Sequence, residues 1–77
     1  MTDANVIEFA HVRAVAQAAA KRNRYLHVSP EALAAARRAG IRMLIAGESA
    51  TAAAFRAERV VVEAWNARTG GIPGSAA

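Results

Sequence analysis

The side chains that could carry chemistry in this chain are few and far apart. It has two histidines, six acidic residues and no cysteine. Histidine is the side chain whose ordinary pKa lies closest to neutral pH, but only His11 has a carboxylate at helical spacing, from Glu8. A pairing of Glu8 and His11 on the helix surface explains that spacing without catalysis. Ser29 and Ser49 stand where helices are expected to begin, and helix capping explains both. The pattern therefore favours a non-enzymatic protein and predicts no cofactor, no metal site and no small-molecule substrate.

The basic residues are the second chemical feature. Ten lysines and arginines against six acids give a formal net charge of +4, and nine of the ten are arginine. Guanidinium groups present a planar fork of donors that suits phosphate, and Arg38 and Arg42 would be neighbours on a helix. Candidate nucleic-acid contacts are Lys21, Arg22, Arg24, Arg37, Arg38 and Arg42. A solvated helix face explains the same residues, and we favour that interpretation.

Three helices are expected to position these side chains. Their predicted ranges are 3–24, 30–46 and 49–69. Thr2 or Asp3 can cap the first helix. The second has the clearest start in the chain, because Ser29 can cap it and Pro30 suits the first helical position. The Gly-Glu-Ser break that ends at Ser49 precedes the third.

Gly40 leaves two structures open. If the second helix continues through this glycine, one apolar stripe contains Leu33, Ala36, Gly40 and Leu44. If Gly40 is instead a left-handed helix cap, residues 41–46 become a strand and residues 23–28 can form another, which gives a small α/β fold. The stripe and the high alanine content favour the continuous helix, so we expect an all-α domain.

The middle of the chain also resembles the ribbon-helix-helix family of DNA-binding proteins. A short strand over 22–28 would precede a helix that starts at Ser29-Pro30-Glu31, and the Gly47-Glu48-Ser49 break would precede the next helix. The resemblance implies a dimer whose strand turns Asn23, Tyr25 and His27 toward the bases. The long N-terminal helix is not part of that family's pattern.

The apolar residues support a protein-interaction hypothesis. Of the 42 apolar side chains, 22 are alanine, so only 20 larger ones can build a core. Alanine-rich helices pack closely and leave apolar surface that a second copy or a partner can cover. We expect Phe9, Val12, Ala16 and Ala19 to share the inner face of the first helix. We expect Ala54, Phe55, Val61, Val62 and Trp65 to share that of the third. The candidate interface residues are Phe9, Leu44, Phe55, Val61 and Trp65.

Taken together, the sequence predicts one helical domain over residues 1–70 and a flexible tail over 71–77. The favoured function is a small non-enzymatic interaction module that self-associates or docks on a protein partner as an assembly component, adaptor or inhibitor. The alternative is a basic, dimeric nucleic-acid-binding regulator. No signal-peptide pattern and no apolar run long enough to span a bilayer is visible. We therefore expect a cytoplasmic protein with no membrane partner.

Overall fold

The computed structural model describes residues 8–68, which form three α-helices. They are α1 (Phe9–Leu26), α2 (Pro30–Ile45) and α3 (Ala50–Arg68). Their short connections make successive helices antiparallel. Helix α3 packs extensively on both others, whereas α1 and α2 share a smaller contact. Because residues 8–68 contain no strand, the all-α prediction is confirmed and the α/β alternative, with strands near 23–28 and 41–46, is wrong.

Helix α1 begins later than its pattern predicts. Glu8 has an extended backbone, and the first helical residue is Phe9. The proposed capping residues Thr2 and Asp3 lie outside the described residues, as does the predicted tail over 71–77.

The end of α1 is a left-handed turn rather than the start of a strand. The helix extends to Leu26, and His27 follows with φ 56° and ψ 55°. The His27 N–H donates to the carbonyl of Asn23 at 2.8 Å, and the Val28 N–H donates to the Asn23 side-chain oxygen at 2.6 Å. Because residues 22–26 are helical, the strand that the ribbon-helix-helix resemblance requires does not form.

Local hydrogen bonds define the ends of the other two helices. The Ser29 hydroxyl accepts from the N–H of Ala32, and the Ser49 hydroxyl accepts from that of Ala52, each at 3.1 Å. Helix α2 runs through Gly40 and ends at Ile45, and Gly47 follows in the left-handed region with φ 92°. The N–H of Gly47 donates to the Leu44 carbonyl and that of Glu48 to the Met43 carbonyl, which is the Schellman pattern.

The core is built from small side chains. Its buried members are Val15, Ala19, Val28, Ala36, Leu44, Ala53, Ala57 and Val61, and buried Gly40 lies among them. The largest fully buried side chains are valines, at positions 15 and 61. The predicted α2 stripe is confirmed for Ala36, Gly40 and Leu44, with Leu33 half-buried against them.

The structure confirms Ala19 and Val61 on the inner faces of α1 and α3 but corrects other parts of these faces. Val15 and Ala19 are the buried residues of α1, and Ala53, Ala57 and Val61 are those of α3. Phe9 and Phe55, which were expected on these faces, are largely exposed. The reason is close packing, since a helix that presents alanine at i and i+4 can approach its neighbours where a phenylalanine would hold them apart.

Candidate interaction surface

Two of the five predicted interface residues belong to the core. Leu44 and Val61 are buried within the chain, so a partner cannot reach them without unfolding it. Trp65 is half-buried and packs against the core. Phe9 and Phe55 remain accessible, so the surface part of the predicted interface reduces to these two phenylalanines and the exposed portion of Trp65.

Within residues 8–68, four large apolar side chains are exposed. Phe9 is 74% exposed, Tyr25 75%, Ile45 62% and Phe55 60%. The sequence does not single out Tyr25 or Ile45 as interface residues, because their exposure becomes evident only once the buried stripes of α1 and α2 are known. The Arg13 guanidinium lies over the Phe9 ring, 5.8 Å from its centroid, so this ring has a cationic neighbour.

A shallow groove separates α1 from α3. Its first depression has a volume of about 370 Å³ and is lined by Ala14, Ala50, Thr51, Ala54, Phe55 and Glu58. A second, of about 150 Å³, is lined by Lys21, Arg22, Tyr25 and Glu58. Glu58 borders both depressions, so they lie next to each other along the same two helices. We call this surface, defined by the residues of the two depressions, the α1–α3 groove.

The polar centre of the groove is an ion pair. An Arg22 Nη atom lies 3.3 Å from a Glu58 Oε atom, and both side chains are partly exposed. An exposed pair of this kind contributes at most about 1 kcal/mol to folding. The Glu58 carboxylate therefore adds little net negative charge to the groove, because Arg22 neutralises it.

The groove continues onto a cationic face of α1. A third depression, of about 340 Å³, is lined by Gln17, Ala20, Lys21 and Arg24, and it shares Lys21 with the groove. Helix α1 carries four cations and no acidic residue. Across residues 8–68, no carboxylate forms an ion pair with Lys21 or Arg24.

The predicted nucleic-acid contacts divide into separate groups. Lys21 and Arg24 are exposed on α1, whereas Arg22 on the same helix is engaged with Glu58. On α2, all three candidates (Arg37, Arg38 and Arg42) are exposed, and none of them lines the α1–α3 groove. The six residues therefore do not form the single strand-and-helix surface of a ribbon-helix-helix protein.

Arg68 has a structural role that the sequence does not reveal. One Nη atom donates to the His27 carbonyl at 2.9 Å, and the other donates to the Leu26 carbonyl at 3.3 Å. These carbonyls lie at the C-terminal end of α1, where backbone acceptors lack helical partners and attract cations. Arg68 therefore ties the last turn of α3 to the end of α1.

Both histidines are exposed, and in the described part of the chain no three histidine or acidic side chains are grouped closely enough to hold a metal ion. None of the three helices has both the length and the apolar character needed to cross a membrane. No protein family, curated protein or solved structure matches this chain.

Proposed function

We propose that this chain is a small non-enzymatic helical interaction module that docks on a protein partner or on a second copy of itself. The observation that supports the proposal is that mostly small side chains fill the core, whereas several large apolar side chains are exposed. The buried core consists of alanines, valines and Leu44, with half-buried Trp65 packed against it, while two phenylalanines, a tyrosine and an isoleucine are exposed. Exposed apolar residues that lie near one another mark interaction sites more often than isolated ones do, and Phe55 and Tyr25 line adjacent depressions between α1 and α3.

The exposed rings can supply substantial binding energy. Burying a whole phenylalanine side chain contributes about 1.5–3 kcal/mol, so covering the accessible part of Phe9 or Phe55 would contribute about 1–2 kcal/mol each. Aromatic side chains also lose little conformational entropy when they are immobilised, which is one reason for their enrichment at binding hot spots. Neither ring is needed to fill the core, so both are available to a partner.

Self-association is one form that this function can take. We expect dimers or larger oligomers at tens of micromolar protein, because the chain leaves large apolar side chains uncovered. Static light scattering measures the mass directly. A monomer over the whole concentration range would contradict self-association and leave a partner protein as the occupant of the surface.

The proposed function is tested by comparative affinity capture from the native host. Wild-type protein is compared with a Phe9→Ser, Phe55→Ser variant, and a Glu31→Ser, Arg56→Ser variant serves as the control with two other exposed positions changed. Proteins and nucleic acids are quantified in the same eluate. We expect a protein that binds the wild type and the control but not the phenylalanine variant. Equal recovery with all three, or recovery of nucleic acid alone, would contradict the proposal.

A second candidate is a basic nucleic-acid-binding regulator, which the exposed cations of α1 and α2 favour. Lys21 and Arg24 are exposed without a carboxylate partner in residues 8–68, and three more arginines are exposed on α2. Contacts between such side chains and phosphates weaken steeply as salt increases, whereas apolar docking does not. Salt dependence therefore distinguishes the two functions.

A further inference from the structure

We infer that the α1–α3 groove receives one acidic, amphipathic α-helix from a partner protein. The inference rests on the proposed function and names both the site and the chemistry of the partner. It follows from the shape of the groove, from the charges along its α1 side and from the charges of the chain's own helices.

The shape of the groove suits a helix. Its lining includes Ala14, Ala50 and Ala54, whose small side chains permit close approach of a helix from a partner. Phe55 lines the first depression and Tyr25 lines the second, and both rings are largely exposed. The distance from Ala14 to Tyr25 along α1 is about 16 Å at 1.5 Å per residue, or about three helical turns. This length accommodates the i, i+4 and i+7 anchors by which amphipathic helices bind grooves.

The charges beside the groove select an acidic occupant. Lys21 lines the groove, and Arg24 extends the same cationic surface along α1. Glu58 does not offset them, because its carboxylate is paired with Arg22. A helix in the groove would therefore gain from carboxylates on the flank that faces α1.

The chain's own helices cannot supply that charge. Within the described residues, α1 has four cations and no acid, α2 has three cations and one acid, and α3 has three cations and two acids. A second copy would place one of these basic helices beside Lys21 and Arg24, where like charges repel. A nucleic acid would suit the cations but would leave the lining alanines and Phe55 without an apolar partner. An acidic helix satisfies both parts of the surface.

The test uses defined probes and the full chain. Two labelled helical peptides of about 18 residues share an alanine and leucine face and differ only in carrying glutamate or lysine on their flanks. Short double-stranded DNA is the third probe. Fluorescence anisotropy measures binding at about 50 mM and about 150 mM salt. We expect the glutamate peptide to bind more tightly than the lysine peptide and the DNA.

Variants localise that binding. Lys21→Gln with Arg24→Gln should weaken the glutamate peptide about fivefold at the lower salt, as expected for two exposed charge pairs. Arg38→Gln with Arg42→Gln removes the same charge from α2 and should change its affinity less than twofold. Phe55→Ser should also weaken it, and circular dichroism checks that each variant is folded.

The outcomes separate this inference from the function on which it rests. Equal affinity for the two peptides, or equal weakening by the α1 and α2 variants, would overturn the inference about the groove. DNA binding tighter than that of the glutamate peptide would also overturn it. If affinity capture nevertheless recovers a protein that depends on Phe9 and Phe55, the interaction module stands and only the groove assignment fails.

Discussion

Gly40 of α2 lies so close to Val15 of α1 that position 40 has no room for a side chain. A Cβ atom built there would be 2.5 Å from Val15 Cγ1 and 2.9 Å from the carbonyl oxygen of Ala53 on α3. Both distances are shorter than Cβ atoms tolerate. All three helices therefore meet at this glycine, whose missing side chain permits their close packing.

Gly40→Ala should destabilise the protein even though it improves helix propensity. Alanine is favoured over glycine inside a helix by about 1 kcal/mol. The crowding opposes this gain, because Val15 is stiff at χ1 and the Ala53 oxygen belongs to the backbone, and overpacking of this kind costs about 1–3 kcal/mol. We expect a net loss of about 1 kcal/mol or more, measured by urea unfolding.

A double-mutant cycle with Val15→Ala provides the control. Removing the valine methyl groups relieves the shorter of the two contacts, so the two changes together should cost less than the sum of their separate costs. Increased stability in Gly40→Ala alone would mean that α1 and α2 are further apart than the structure shows.

His27→Gly should stabilise the protein. His27 occupies the left-handed region at φ 56°. This conformation raises the free energy of a residue with a Cβ atom by about 1–2 kcal/mol, and glycine has no such steric cost. Glycine also loses more entropy on folding, so we expect a net gain of about 0.5–1 kcal/mol. Thermal unfolding would show this as a melting temperature several degrees higher, with His27→Ala as the control that keeps the Cβ atom. A lower melting temperature for the glycine variant would show that the imidazole itself supports the turn.

Trp65→Ala and Phe55→Ala should affect stability very differently. Trp65 packs against the core, and its removal should cost about 2–4 kcal/mol, near the lower end of the range for large buried aromatics. Phe55 is 60% exposed, so its truncation should change stability by no more than about 0.5 kcal/mol. Chemical denaturation of the two variants side by side measures both effects. Comparable losses would mean that Phe55 is part of the folding core and unavailable to a partner.

Replacing Arg37, Arg38 and Arg42 together with glutamine should leave the fold intact, because all three side chains are exposed on α2. Under the interaction-module proposal, protein binding is then largely unchanged. Under the nucleic-acid alternative, the triple variant loses up to three phosphate contacts, and the salt dependence of DNA affinity falls by up to about three units of slope. Titration of the wild type and the triple variant with double-stranded DNA at two salt concentrations distinguishes the two functions. DNA binding by the wild type at physiological salt, lost in the triple variant, would contradict the leading proposal.

The positions of helices α2 and α3 could be predicted from the sequence because local chemistry determines them. Ser29 and Ser49 cap the N-termini through hydrogen bonds to residues three positions ahead, and Pro30 has a backbone angle suited to the first turn. These effects act within a single turn of helix. Because capping and the first-turn proline do not depend on tertiary packing, they can be recognised from the sequence alone.

The orientation of the helices was decided only by the tertiary structure. In alanine-rich helices several faces are apolar, so the pattern alone did not distinguish a face containing Phe55 from one containing Ala53 and Ala57. Close packing selected the small side chains, and it placed both phenylalanines on the surface. The contact between Arg68 and the His27 carbonyl, 41 positions apart in the chain, likewise exists only because α1 and α3 pack side by side. Contacts between distant residues depend on how the helices meet, and no local pattern encodes that arrangement.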